Sequence, residues 1–266
     1  MAMTTKNINF KIIEDFVSKD LSDKLIKDSE MFNKNDFIKI HGNRLFLSSS
    51  SNEFQNIILT SASWQKLISK INSEEFLNLC CSLLEIDSSK FIKVDFFNKI
   101  KQQIIGNKIL KNLSTIKVLK YIFIKYFRRL IRNIRFSKIF YMKRIPIELL
   151  FDYSIAGEGY YNNIHRDSDS RVIVFLLYLN EINSEGGSLN FCVKKKNNDF
   201  ENIQTISPKA GRLVIFLNED HSYHGVEIMK KTQNKRHFLY GSFTSLNNKN
   251  PYIKNKCIET EFNLYE

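Results

Sequence analysis

The chain has 266 residues, of which 43% are hydrophobic and 26% charged, with 9 Gly, 3 Pro, 4 Cys and a formal net charge of +12. Those fractions are ordinary for a globular protein and exclude wholesale disorder, a collagen-like repeat and a disulfide-stapled miniprotein. The charge is the abnormal quantity, and alone it would point to nucleic acid or an anionic membrane surface as a partner. Abundant Lys, Asn and Ile are what an AT-rich genome favours, so composition does not name the partner. Met1 to Phe10 has no cationic start before an apolar run, and no later stretch approaches the ~18 uncharged apolar residues of a spanning helix, so a cytoplasmic chain is expected. Cys80, Cys81, Cys192 and Cys257 form no CxxC pair and are expected to be reduced.

In chain order, Phe10 to Phe16 alternates as a short strand, and Leu21, Leu25 and Ile26 mark a helix that Ser18 or Asp20 could cap. Residues 37–60 are expected as strand and loop, with a turn at Ser48 to Asn52. Trp64, Leu67, Ile71, Phe76, Leu79 and Leu83 give 61–84 helical spacing. Residues 91–145 then carry fifteen Lys or Arg and a single acid, Asp95, which leaves the rest of the chain at about −2. Ile109, Leu113, Ile116, Leu119, Phe123, Phe127, Leu130 and Ile134 recur at three- and four-residue steps, with Lys125, Arg128, Arg132 and Arg135 on another face. That pattern is a basic amphipathic helical region. It could pack on the rest of the protein, or dock an anionic membrane or a polyanion, which would make the protein membrane-peripheral.

From Ile145 the texture changes to short β-branched and aromatic runs: Glu148 to Ser154, Arg171 to Leu179, Ser188 to Lys194, Ile203 to Ile206, Arg212 to Leu217, Ser222 to Ile228 and Lys235 to Phe243. Glycine- and proline-bearing turns separate most of them. Strands at that spacing argue for a sandwich, jelly roll or barrel. The division expected is 1–90 as a strand and helical support layer, 91–145 as the basic insertion and 146–266 as the β-domain.

His165 is followed two positions later by Asp167, and on an extended segment such a pair shares one face. Alone this is a weak motif, equally at home in a metal-free surface loop. His224 offers a third ligand on another strand, with His221 as its rival. Arg236, after a polar turn, is expected roughly opposite His224 in a hairpin. Two His and one carboxylate on one side of a metal suit non-haem Fe(II) and O2 chemistry, and a nearby guanidinium would anchor a dicarboxylate.

The order of these residues resembles a known family. It runs from a Tyr-containing strand through His165-x-Asp167, Tyr178-Leu179-Asn180, Glu185-Gly186-Gly187, Pro208-x-Ala210-Gly211-Arg212-Leu213-Val214-Ile215-Phe216 and His224-Gly225-Val226 to Arg236. It is similar to the Fe(II)/2-oxoglutarate-dependent dioxygenases, in the branch of the prolyl 4-hydroxylases. The resemblance implies an α+β fold, a double-stranded β-helix (jelly roll, cupin-like) with N-terminal helices and the basic helical insertion. It further implies that His165, Asp167 and His224 ligate Fe(II), that Arg236 pairs with the distal carboxylate of 2-oxoglutarate, and that Tyr153 contacts the same carboxylate. O2 is then the oxidant, succinate and CO2 are released, and ascorbate is expected to sustain turnover. Related halogenases replace the carboxylate ligand with a small residue, so Asp167 favours hydroxylation. The substrate, whether a small molecule, peptide, glycan or lipid, is not named by fold. The alternative from another class is a non-catalytic β-fold binding protein that docks a polyanion or membrane through the basic helices.

Overall fold

A computed structural model describes residues 8–32, 36–40, 43–94, 144–195, 199–247 and 250–254. Most of the basic segment, with the helices expected there, and Cys257 lie outside the described residues. No described helix is long and apolar enough to cross a membrane.

Strand β1 (Phe10–Ile13) leads into α1 (Lys19–Ser29), β2 (Ile38–Ile40), β3 (Arg44–Ser48), α2 (Asn52–Thr60), α3 (Ala62–Ile71), α4 (Glu74–Leu83) and β4 (Phe91–Lys93). The helices begin where serine side chains can cap them. Ser18, Ser51, Ser61 and Ser73 each accept a bond from the backbone N–H three residues on, worth about 1 kcal/mol apiece. The expected loop over the last part of 37–60 is corrected here: Ser51 starts a helix whose buried face is Phe54 and Ile57.

The rest of the chain supplies β5 (Ile145–Ala156), β6 (Asn162–His165), β7 (Arg171–Tyr178), β8 (Ser184–Glu185), β9 (Leu189–Lys194), β10 (Phe200–Ile206), β11 (Leu213–Leu217), β12 (Tyr223–Val226), β13 (Lys230–Thr232) and β14 (Arg236–Ser245). The large sheet runs β1-β11-β7-β14-β5-β3-β2, with β4 parallel to the start of β5. The smaller sheet runs β10-β9-β12-β6, and β13 pairs with β8. From β5 onward most successive strands, β9 and β10 excepted, change sheet, and the two sheets are mainly antiparallel, the pattern of a jelly roll. The expected hairpin between the strands of His224 and Arg236 does not form. β12 bonds to β6 and β9, whereas β14 bonds to β5 and β7 in the other sheet.

Alternation along β14 explains both cores. Leu239 and Phe243 face the helices, in a cluster with Trp64, Phe54, Leu25 and Phe76, while Phe238 faces the smaller sheet with Phe191, Phe216 and Val214. Side chains such as Leu25 and Phe54, both wholly buried, contribute roughly 1.5–3 kcal/mol each by leaving water. Strand β7 is covered on both sides, which is why Val172 to Tyr178 reads as an unbroken apolar run rather than an alternation. The helical layer braces the large sheet from behind and leaves its inner face to the site.

Candidate active site

Register brings the two histidines together. In the β6–β12 pair His165 lies opposite His224, and their ring centroids are 4.4 Å apart. Strand β12 can approach β6 this closely because Gly225 has no side chain: a Cβ there would meet Asn162 O at 3.0 Å and the Ile164 Cα at 3.2 Å. Asp167 follows in the turn after β6. Its Oδ1 is 3.9 Å from His165 Nε2 and its Oδ2 is 3.6 Å from His224 Nε2. Each imidazole turns its other nitrogen to a backbone carbonyl, His165 Nδ1 to Asn163 at 2.7 Å and His224 Nδ1 to Ser222 at 3.0 Å. Donation from Nδ1–H leaves both Nε2 lone pairs aimed at the carboxylate.

The donor set fits a divalent metal. Ligand atoms of all three residues lie within 4.8 Å of one another, and Asp167 Oδ2 is buried without a hydrogen-bond partner. An orphaned buried carboxylate oxygen is costly unless a cation answers it. Burial pushes the Asp167 carboxyl up, but the charges of Arg171, His224 and His165 and the Tyr240 hydroxyl outweigh it and hold the group below the usual carboxylate range. Burial, then the neighbouring His165, lowers His224 to about 4, so its imidazole is neutral and able to ligate at pH 7. Asp167 Oδ1 accepts from Tyr240 Oη at 2.6 Å and from Arg171 Nη1. His221 is exposed and stands outside this group.

Arg236 enters from the opposite sheet and is wholly buried. Its Nη1 donates to Gly187 O at 2.8 Å and its Nη2 to Tyr178 Oη at 3.3 Å, while Nε has no partner. Its guanidinium carbon lies 4.6, 4.9 and 5.5 Å from the rings of Phe238, Tyr178 and Tyr160. Among the described residues no carboxylate pairs with it, so the pocket holds a buried cation that an anionic ligand would answer. Gly187 has φ +81°, and a Cβ on it would meet Met229 at 2.6 Å and Ile182 at 2.9 Å. Gly187→Ala is therefore expected to destabilise the fold by about 1–3 kcal/mol and to shift the carbonyl that aims Arg236. Thermal melts and a 2-oxoglutarate titration would register both effects.

Tyr153 does not join the site, which corrects the role expected for it. Strand alternation turns its ring to the helical layer, against Trp64 and Phe32. Its hydroxyl donates to Ser29 Oγ at 2.7 Å, and Ser29 in turn donates to Ile26 O. His237 Nδ1, 2.6 Å from the Tyr153 oxygen, must then be the donor in that contact. Burial, and next the charge of Lys235, lowers His237 to about 4. The unfolded chain binds this proton near pH 6.5 and the folded chain only near pH 4, so stability falls as pH drops through that window. In His237→Gln the loss between pH 6.5 and 4 is expected to be smaller by up to about 3 kcal/mol, measured by urea unfolding.

Residues 151–242 match the family model described as the 2OG-Fe(II) oxygenase superfamily, a stretch that contains every residue of the site. This stretch is a 2OG-Fe(II) oxygenase domain. Among solved structures, a prolyl 4-hydroxylase from Phytophthora capsici is similar at a TM-score of 0.50 and 15% identity. That match covers 91% of this chain and 61% of the other. A Pseudomonas putida prolyl-4-hydroxylase is similar at 0.43 and 14%, covering 90% and 94%. The viral collagen prolyl hydroxylase of Paramecium Bursaria Chlorella virus-1, solved with 2OG, is similar at 0.44 and 14%, covering 91% and 98%. No curated protein sequence matches the chain. The P. capsici likeness shows the shared fold alone. Enzymes of this superfamily use Fe(II), 2-oxoglutarate and O2, and the His-Asp-His group suits the iron.

Sequence reasoning missed residues that serve the oxygenase domain's site. Tyr178 and Tyr240 stand on the inner face because they share its alternation with Phe238 and Arg236, a signal present once the inner face is known. Asn218 is not legible at all. It is wholly buried, and its Nδ2 donates to Ser168 O at 2.9 Å and Arg171 O at 3.0 Å. Its Oδ1 accepts from Ser222 Oγ at 3.1 Å, so it ties the Asp167 turn to the loop just before the strand of His224.

Proposed function

We propose that the protein is an Fe(II)- and 2-oxoglutarate-dependent hydroxylase of the prolyl 4-hydroxylase-like branch, acting on an unidentified small-molecule or peptide substrate. His165, Asp167 and His224 would hold the iron, and Arg236 would hold the distal carboxylate of 2-oxoglutarate. The observation that carries this reading is the pairing of two incomplete partners in one interior. Asp167 Oδ2 is a buried oxygen without a donor, and Arg236 is a buried cation without an anion.

Bound iron supplies the oxidative chemistry of the family, coupling decarboxylation of 2-oxoglutarate by O2 to insertion of one oxygen atom into a substrate C–H bond, with succinate and CO2 released. The chain's own residues do the positioning. Asn163 O and Ser222 O fix the tautomers of the ligating imidazoles. Tyr240 and Arg171 occupy Asp167 Oδ1, so Oδ2 is the oxygen left for the metal. Phe238, Tyr178 and Tyr160 wall the guanidinium of Arg236, which keeps water from competing for it.

The test is succinate formation that requires Fe(II), 2-oxoglutarate and O2 together, with ascorbate added to sustain turnover. A well-folded preparation that binds no iron would overturn the reading. No observation favours the non-catalytic alternative, and its docking element lies outside the described residues.

A further inference from the structure

Arg44 is the first residue of β3, and the register β3-β5-β14 sets it opposite Ala156, which in turn faces Arg236. Its Nε and Nη2 both donate to the buried Ser154 Oγ, at 3.1 and 2.9 Å. The guanidinium carbon lies 5.3 Å from the Phe238 ring, 5.6 Å from Tyr240 and 5.8 Å from Phe46. Its Nη1 bonds to nothing among the described residues, and no described carboxylate pairs with it. Arg171 reaches the same Tyr240 ring from the other side of β14, at 5.0 Å. Of Arg171, Nη1 is spent on Asp167 and Tyr240, while Nε and Nη2 bond to no described residue.

Two guanidinia held over one tyrosine ring repel each other, and their aromatic contacts offset only part of that cost. Asp152, opposite Tyr240 in register, acts on Arg171. On the hydroxylase reading the other charges of the site would answer one another: the two carboxylates of 2-oxoglutarate would be met by the iron and Arg236, and Asp167, already paired with Arg171, by the iron. Arg44 is the positive group left over. It is half-buried and pre-oriented by Ser154 and three rings, and it is linked to the metal ligand through Tyr240, whose hydroxyl is 2.6 Å from Asp167.

Building on the hydroxylase reading, we propose that Arg44, assisted by Arg171, is the subsite for an oxyanion, carboxylate or phosphate, carried by the primary substrate. A planar fork with free N–H groups beside aromatic walls recognises such a group by charge-assisted bonds. Binding it there would orient the remainder of the substrate toward the iron side of Tyr240.

The experiment uses the full chain loaded with Mn(II) and saturated with N-oxalylglycine, so that Arg236 is already engaged. Paramagnetic broadening of the NMR signals of acetate, methyl phosphate and acetamide is compared. Acetate or methyl phosphate is expected to be broadened about tenfold more than acetamide, with the excess lost in Arg44→Gln and partly kept in Arg44→Lys. Anions broadened no more than acetamide, or an excess that survives in Arg44→Gln, would overturn the proposal. Electron paramagnetic resonance of the Mn(II) reads the metal and N-oxalylglycine separately. If either fails to bind, the hydroxylase reading falls and this one with it; if both bind and the anions do not, only the subsite is wrong.

Discussion

Asp167→Ala is expected to abolish iron binding and succinate formation together, with at least a thousandfold loss of iron affinity at pH 7. Asp167 is the one carboxylate in the His165–Asp167–His224 group, and its side chain is 1% exposed, so no water path replaces it. Removing it also leaves Arg171 and the Tyr240 hydroxyl facing a cavity, since both donate to Oδ1. Arg171 is a third exposed and keeps Asp152 nearby, so the loss of these hydrogen bonds to a charged acceptor costs about 1–3 kcal/mol, and a lower melting temperature should accompany the lost metal. Asp167→Asn separates the two effects. It keeps the volume and still accepts from Tyr240, and is expected to recover much of the stability while iron affinity stays low. Iron binding is read by anaerobic calorimetric titration. Full iron affinity in folded Asp167→Ala would refute the ligand assignment.

Arg236→Met is the second large effect, and its sign on stability is opposite. The guanidinium is wholly buried, has an unpartnered Nε and lies among Phe238, Tyr178 and Tyr160 with no described acid beside it. Taking such a charge from water costs several kcal/mol that the free protein does not recover, and apolar replacements of buried charges are often neutral or stabilising by about 1–4 kcal/mol. The variant without ligand is therefore expected to melt at or above the temperature of the parent. Its affinity for 2-oxoglutarate should fall by about a hundredfold or more, the worth of a desolvated ion pair. The stabilisation that 2-oxoglutarate gives the parent in a thermal melt should vanish with it. A variant that unfolds early yet still binds 2-oxoglutarate would make Arg236 a structural residue.

Much of the fold was legible because its cause is local. Ser18 announces α1 through a cap, and the spacing of Trp64, Leu67 and Ile71 announces α3 through burial on one face. Strand β6 was missed because Asn162 to His165 has one apolar residue in four, and its identity comes from pairing with β12 rather than from its own pattern. The hairpin expected for Arg236 failed for a related reason. Proximity in sequence argued for pairing, but here the strands around this turn are dealt to different sheets, β12 to the smaller and β14 to the larger. At the site, the meeting of His165, Asp167 and His224 was legible from order and chemistry. The face of Tyr153 was not, because a register one residue away inverts every side chain along a strand. Arg44 lies more than a hundred residues from the motif and has no local mark of function; only the β3–β5–β14 register brings it to the site.

The division of the site between two sheets has a consequence for co-substrate length. The paired histidines belong to the smaller sheet, and Arg236 to the larger. The span from metal to guanidinium is thus set by the packing of Phe191 on Phe216, whose ring centroids are 5.3 Å apart, and by their neighbours between the sheets. The interior acts as a caliper. A 2-oxo acid one carbon shorter or longer than 2-oxoglutarate is therefore expected to bind less tightly. Thinning that aromatic layer should alter which 2-oxo acid the enzyme accepts without touching a ligand.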